Sequence, residues 1–146
     1  MAITKILYRN GGLRQAIDYI TNPVKTDENL LTDYVRCDPG YAAQQMMDTK
    51  RALGKTAGRQ CYHIIQSFKP DEITPELAHE IAKQFAAEHL PGYEAVIATH
   101  VDKAHIHSHI VFNSVNAVTG KMYHSTRENY YKQIRDISDR LGKAHG

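Results

Sequence analysis

Between Thr99 and Asn113 the chain reads Thr-His-Val-Asp-Lys-Ala-His-Ile-His-Ser-His-Ile-Val-Phe-Asn, placing four of its nine histidines within ten residues. Successive side chains of a strand alternate between its two faces. His105, His107 and His109 therefore share one face. Ile106, Ile110 and Phe112 share the opposite, core-facing side, with Ser108 as its polar exception. Residues 94–101 and 105–114 are separated by only a few residues and read as a hairpin. A turn around Lys103-Ala104 sets His100 directly across from His107, with Cβ atoms about 4.5–5.5 Å apart. His109 is then the next neighbour on that face, and Asp102 points the same way. Lys-Ala is not a preferred two-residue turn, so the register stays open by a residue.

The rest of the chain supplies a frame for this hairpin. Residues 2–8 read as a first strand ended by Asn10-Gly11-Gly12, and Leu13, Ala16, Ile17 and Ile20 mark a short helix stopped at Asn22-Pro23. Residues 30–37 and 60–68 are rich in strand formers. Residues 41–53 carry Ala42, Met46, Ala52 and Leu53 for one helical face. Thr74 and Pro75 open the clearest helix, with Leu77, Ile81 and Phe85 as its stripe running on to Leu90. Residues 121–124 suggest a short strand. Tyr130, Ile134, Ile137 and Leu141 mark a closing helix. Strands joined both by helices and by a hairpin predict one α+β domain over 1–146, an antiparallel-rich sheet with helices packed on it.

Composition narrows the function classes. A hydrophobic fraction of 42% excludes wholesale disorder. No apolar run approaches the ~20 residues of a bilayer span, and the N-terminus is not a secretory signal, so a soluble, cytoplasmic protein is expected. Cys37 and Cys61 stand alone, which excludes a disulfide framework. A net charge of +2 excludes a histone-like polycation but leaves local nucleic-acid binding open.

Three imidazoles beside a carboxylate are a metal site by ligand type. Neutral ligands leave the full charge of a divalent ion available to an anion, and a phosphodiester is a natural one. Imidazole suits Mn, Zn, Fe or Ni alike, so the donors do not fix the metal.

These residues also carry a family resemblance. His100-x-Asp102-x-x-His105-x-His107-x-His109-x-x-x-Asn113 resembles the third motif of conjugative relaxases, the MobP-type mobilisation nucleases of the HUH endonuclease superfamily. The resemblance implies an HUH relaxase architecture with a ferredoxin-like or RRM-like split βαβ unit, and metal ligands His100, His107 and His109. His105-Ile106-His107 is the alternative match to the HUH pair. Asp18-Tyr19-Ile20-Thr21-Asn22 resembles the first motif and implies Tyr19 as the nucleophile. His63-Ile64-Ile65-Gln66-Ser67-Phe68-Lys69-Pro70 resembles the second, in which Ser67 contacts DNA near the nick. Asp102 and His105 are the groups available to orient or deprotonate the phenol, whose ordinary pKa near 10 calls for such help. Asp102 equally suits the role of a carboxylate fixing a ligand imidazole.

The implied activity is strand-specific nicking of single-stranded DNA at an origin of transfer, through a 5′-phosphotyrosyl intermediate, in plasmid or integrative-element mobilisation. The implied cofactor is a divalent metal, Mg or Mn first, with Zn or Ni able to stand in within a crystal. Implied partners are the origin DNA and the accessory and coupling proteins of a secretion system, with the protein itself able to pass to the recipient. Relaxases run longer than 146 residues, so the chain also fits an N-terminal portion. Two acid-free stretches flank the motifs: Lys50, Arg51, Lys55, Arg59 and Lys69 within 49–70, and Lys103, Lys121 and Arg127 within 103–127. With Asn113, Lys103 and the first group are candidate DNA contacts. Competing readings are a rolling-circle replication initiator of the same superfamily, a non-haem iron oxygenase built on His100, Asp102 and a distal His124, and a binding-only module.

Overall fold

In the computed structural model, which describes residues 3–26, 31–69, 71–101, 105–125 and 134–144, five strands form one sheet. They are β1 (Ile3–Arg9), β2 (Thr32–Val35), β3 (Cys61–Phe68), β4 (Ala95–His100) and β5 (Ile106–Asn113). The helices are α1 (Leu13–Ile20), α2 (Ala42–Ala52), α3 (Pro75–His89) and α4 (Asp136–Ala144). The strand order is β1-β3-β5-β4-β2, and every neighbouring pair is antiparallel. β3 and β4 each run antiparallel to the β5 between them, so they are parallel to one another with α3 as their crossover. That is the expected split βαβ unit within an α+β fold. A single helix-backed sheet is not a double-stranded β-helix, and the oxygenase reading loses its scaffold.

The hairpin register is the one the spacing proposed: His100 pairs His107, and Thr99 pairs Ser108. On the other side of β5, Ser67 pairs His107 and Ile65 pairs His109. One sheet face thus collects His100, His107, His109, Ser67 and Lys5. The opposite face carries Ile64, Ile97, Ile110 and Phe112 under α3 and α4, with Ile81, Phe85 and Leu141 closing that core. Burying each such side chain contributes roughly 1.5–3 kcal/mol. Thr74 caps α3 as expected, its hydroxyl accepting from the Leu77 amide.

α1 and α2 cover only part of the first face. Leu13, Ala16, Ile17, Ile20 and Met46 pack there on Val96, Ala98 and Val111. Gly12 opens α1 with φ of 68°, a left-handed conformation that suits glycine. The stripe at 13, 16, 17 and 20 leaves Tyr19 on the helix flank, half exposed. On α2 the buried stripe is Ala42, Ala43, Met46 and Lys50, whereas the expected Ala52 and Leu53 face outward. The i, i+4 spacing of 42, 46 and 50 simply carries Lys50 onto the inner face. Residues 121–124 make a single bridge, Met122 to Val115, in place of a strand. Tyr130 lies outside the described residues. Among the described residues, no helix is long and apolar enough to cross a membrane.

Candidate active site

Beyond the edge of α1 the first face opens into a cavity of about 210 Å3, lined by Lys5, Tyr19, Lys25, Ile65, Ser67, His100, His107 and His109. Four of the site residues named from sequence motifs at 19, 67 and 100–109 are brought together with the nucleophile candidate, from α1, β3, β4 and β5. The Tyr19 ring meets His100 edge-on at 5.7 Å between centroids and His109 at 6.1 Å. His100 and His109 lie 4.0 Å apart, and His107 stands 6.3 Å from His109.

Two hydrogen bonds set these rings. His100 Nε2 lies 2.9 Å from the Ile20 carbonyl. A carbonyl only accepts, so Nε2 carries the proton and the lone pair sits on Nδ1. That carbonyl belongs to the last residue of α1, where backbone oxygens lack helical partners. The same bond therefore caps the helix and ties it, one residue from Tyr19, to the imidazole. His109 Nδ1 lies 2.7 Å from His63 Nε2. Only one of those two nitrogens can hold the shared proton, and this fixes the ring orientation of His109.

Burial keeps His109 and His63 neutral. Burial pushes the His109 pKa down to about 2, helped by His100, His63, His107 and Lys25 around it. Burial likewise lowers His63 to about 4, with Arg9 and His100 adding to the effect. Neutral imidazole is the ligating form, and a ligand histidine held through its other nitrogen is the usual arrangement at metal centres. By donor chemistry His100, His107 and His109 fit a divalent cation. Among the described residues no three such side chains are drawn together tightly enough to enclose one.

The remaining expectations divide. Asp102 and Lys103 lie outside the described residues. His105 is exposed just before β5, its ring 6.4 Å from His107, and does not line the cavity. Arg51, Lys55 and Lys69 are exposed, with Arg51 3.3 Å from Asp48, and Arg59 lays its guanidinium 3.8 Å over the Tyr8 ring.

Two candidate DNA contacts are corrected outright. Asn113 is fully buried and donates to the Met46 carbonyl and to Glu94 Oε1. Lys50 is buried on the inner face of α2, and burial lowers its pKa to about 8. Both are interior residues because α2 lies over that end of the face.

Three residues escaped the sequence reading. His63 shares the alternation of Ile65 and Ser67, and that parity alone could have placed it on the site face. Lys5 needed the β1–β3 pairing, which sets Lys5 against Ile65. Lys25 had no signal. It sits on a turn closed by Thr26 and Lys25 amides donating to the Asn22 carbonyl, and its own carbonyl accepts from the Val101 amide at 2.6 Å. The Lys25 ammonium thereby stands 5.6 Å from the centre of the Tyr19 ring.

Known proteins resemble this chain along its whole length. The model of the relaxase family described as the MobA/VirD2-like nuclease domain matches residues 19–146. A protein rlx of Staphylococcus aureus is 34% identical over 146 residues, covering 100% of this chain and 44% of that protein. The group II intron-interrupted relaxase LtrB of Lactococcus lactis subsp. cremoris is 43% identical, over 91% of this chain and 27% of its own length. The chain thus spans less than half of the curated relatives it matches. A MobM relaxase domain solved with bound plasmid oriT DNA and manganese superposes with a TM-score of 0.70 at 17% identity, over 99% of this chain and 87% of that one. A protein solved to explain vancomycin resistance transfer in Staphylococcus aureus gives 0.68 at 12% identity, over 99% and 91%. At those identities the likeness speaks for the fold. The fold, the motif positions and the family match agree: the chain belongs to the MobA/VirD2-like relaxase nuclease-domain family.

Proposed function

We propose that this chain is the nicking domain of a relaxase, cutting one DNA strand at an origin of transfer with Tyr19 as nucleophile and His100, His107 and His109 as metal ligands. The observation that carries the proposal is the shared cavity. Tyr19, Ser67 and the three histidines come from four separate elements and line one opening with two lysines. The oriT DNA and manganese bound to MobM supply the substrate and cofactor class by analogy.

A bound divalent cation would supply electrophilic polarisation of the scissile phosphate. Tyr19 Oη attacks phosphorus, and the P–O3′ bond breaks. The phenol loses one proton and the departing 3′-oxygen gains one, so the exchange is proton-neutral and reversible. Lys25 places a positive charge beside the ring, where it can meet the negative charge of the scissile phosphate. Lys5 and Ser67 stand on the β1 and β3 side of the cavity, where they can hold the flanking backbone. His105 and Asp102 remain the groups assigned to orientation or proton transfer. The position of His109 inside the cavity and His105 outside it supports the His107/His109 pair as ligands. Arg51, Lys55, Arg59, Lys69 and Lys103 are assigned to the outer DNA track. Accessory and coupling proteins, and a cytoplasmic site of action, belong to the same reading.

The test is incubation with single-stranded oligonucleotides tiled across the DNA element that encodes the chain, with Mn2+. One oligonucleotide should yield a covalent protein–DNA adduct that needs the metal. Cleavage without any adduct would refute tyrosine transesterification.

A further inference from the structure

On the reverse side of the sheet, directly behind the cavity, a polar row crosses four strands. Thr4 pairs Gln66, Gln66 pairs Ser108, and Ser108 pairs Thr99. All four are buried, at 5%, 0%, 0% and 0% exposure, in a layer whose neighbours are aliphatic and aromatic. Two helix residues close the row. Ser138 of α4 meets Thr4 at 3.0 Å and Gln66 at 3.1 Å. His79 of α3 meets Thr99 at 2.8 Å and Asp33 of β2 at 2.6 Å. Thr99 and Ser108 hydroxyls bond each other at 2.9 Å. Ser108 was the exception on the core side of the histidine strand, and nothing in the proposed chemistry uses it.

We infer that this row is a positioning device: it fixes the strand register that lines up the site residues on the other side. Each member is one position away from a site residue, namely Thr4 from Lys5, Gln66 from Ser67, Ser108 from His107 and His109, and Thr99 from His100. A slip of one residue would turn every ligand to the wrong face. A slip of two would keep the faces but set His100 against His105 or His109. Aliphatic neighbours such as Ile97 and Ile110 pack acceptably in several registers, because dispersion contacts are not directional. A buried hydroxyl stranded from its partner is penalised beyond the bond it loses, so the polar row accepts one register only. The hairpin needs such a lock. Its connection, residues 101–105, contains no glycine or asparagine of the kind that specifies a tight turn.

The inference rests on the ligand assignment above, and metal affinity tests both without requiring the DNA site. Mn2+ binding to the purified chain is measured by electron paramagnetic resonance of the free ion, and ligand geometry by the visible bands of bound Co2+. Thr99→Val with Ser108→Ala should weaken Mn2+ binding at least about tenfold, the scale found when groups supporting a metal ligand are removed. It should also alter the Co2+ bands. Thr99→Ser keeps the hydroxyl and should stay within about threefold of the parent. Ile110→Val, a comparable loss of core packing one layer along, should leave both readouts unchanged. Parent-like affinity in the double variant, or equal weakening by Ile110→Val, overturns the positioning role. Parent-like affinity in His107→Ala overturns the ligand assignment itself, and the inference with it.

Discussion

The two ends of the histidine face carry residues of the same alternation and opposite fate. At the end covered by α2, Asn113, Glu94 and Lys50 are enclosed. Glu94 accepts from Asn113 and from the Thr49 hydroxyl at 2.9 Å, while Lys50 Nζ and Asn113 Oδ1 are buried without a hydrogen-bond partner among the described residues. At the end beyond α1, His100, His107, Ser67 and Lys5 look into a cavity beside a half-exposed tyrosine. A polar side chain on a sheet face becomes structural or chemical according to whether a helix lies over it. The residue types alone do not decide.

The sharpest way to break this contrast is at the open end. Tyr19→Phe should lower adduct formation by roughly a thousandfold or more, as expected for a missing nucleophile. The melting temperature should stay close to the parent's, because the Tyr19 hydroxyl is not part of either core. Lys25→Met is expected to slow single-turnover nicking by about a hundredfold, comparable to loss of a preorganised charge at a reacting group. Its single-strand affinity should fall only slightly, with the salt slope shrinking by about 0.7. Lys25→Arg should recover most of the rate. A change in affinity without a change in rate would move Lys25 to the outer DNA track.

At the covered end the expected effects are on stability. Asn113→Ala removes the side-chain donor shared by Glu94 Oε1 and the Met46 carbonyl, and should cost about 1–3 kcal/mol in denaturant unfolding. Nicking per folded molecule should be unchanged. A selective loss of DNA affinity would restore Asn113 to the DNA surface. Lys50 gives the smallest effect and a signed one. Its folded pKa of about 8 lies below the ordinary lysine value of 10.5, so the unfolded chain binds more protons between them and stability rises with pH. Over pH 8 to 9, below the ordinary thiol value of 9.0 for Cys37 and Cys61, unfolding titrations should show this rise, and Lys50→Met should flatten it. His63 gives the same sign at lower pH. With a folded pKa near 4 it destabilises the metal-free protein as pH falls from 6.5, by up to about 1.4 kcal/mol per pH unit.

Much of this was legible in the chain. Alternation from His105 to Phe112 assigns both faces of β5, and a turn centred on Lys103-Ala104 proposes the His100–His107 register, open by a residue, that the strands adopt. The Thr99–Ser108 pair, to which we assign the fixing of that register, shows in the sequence only as an odd serine. The errors share one cause. Charge and motif distance point Lys50 and Asn113 toward DNA, whereas their burial depends on α2 lying across residues far away in sequence. Lys25 was invisible because a loop residue reaches a site through backbone pairing with Val101, and no periodicity encodes that. His63 was within reach, two positions from Ile65 and four from Ser67 on the same parity.

The central claim is that the open end of the face is a tyrosine-based nicking site, and peptide mapping of the covalent adduct tests it most directly. After reaction with the cleaved oligonucleotide and Mn2+, nuclease trimming and proteolysis, mass spectrometry should find a nucleotide-derived phosphate on the peptide containing Tyr19. The same peptide should be unmodified when His107 is replaced by alanine. A phosphate on any other residue, with Tyr19 unmodified, would contradict the account.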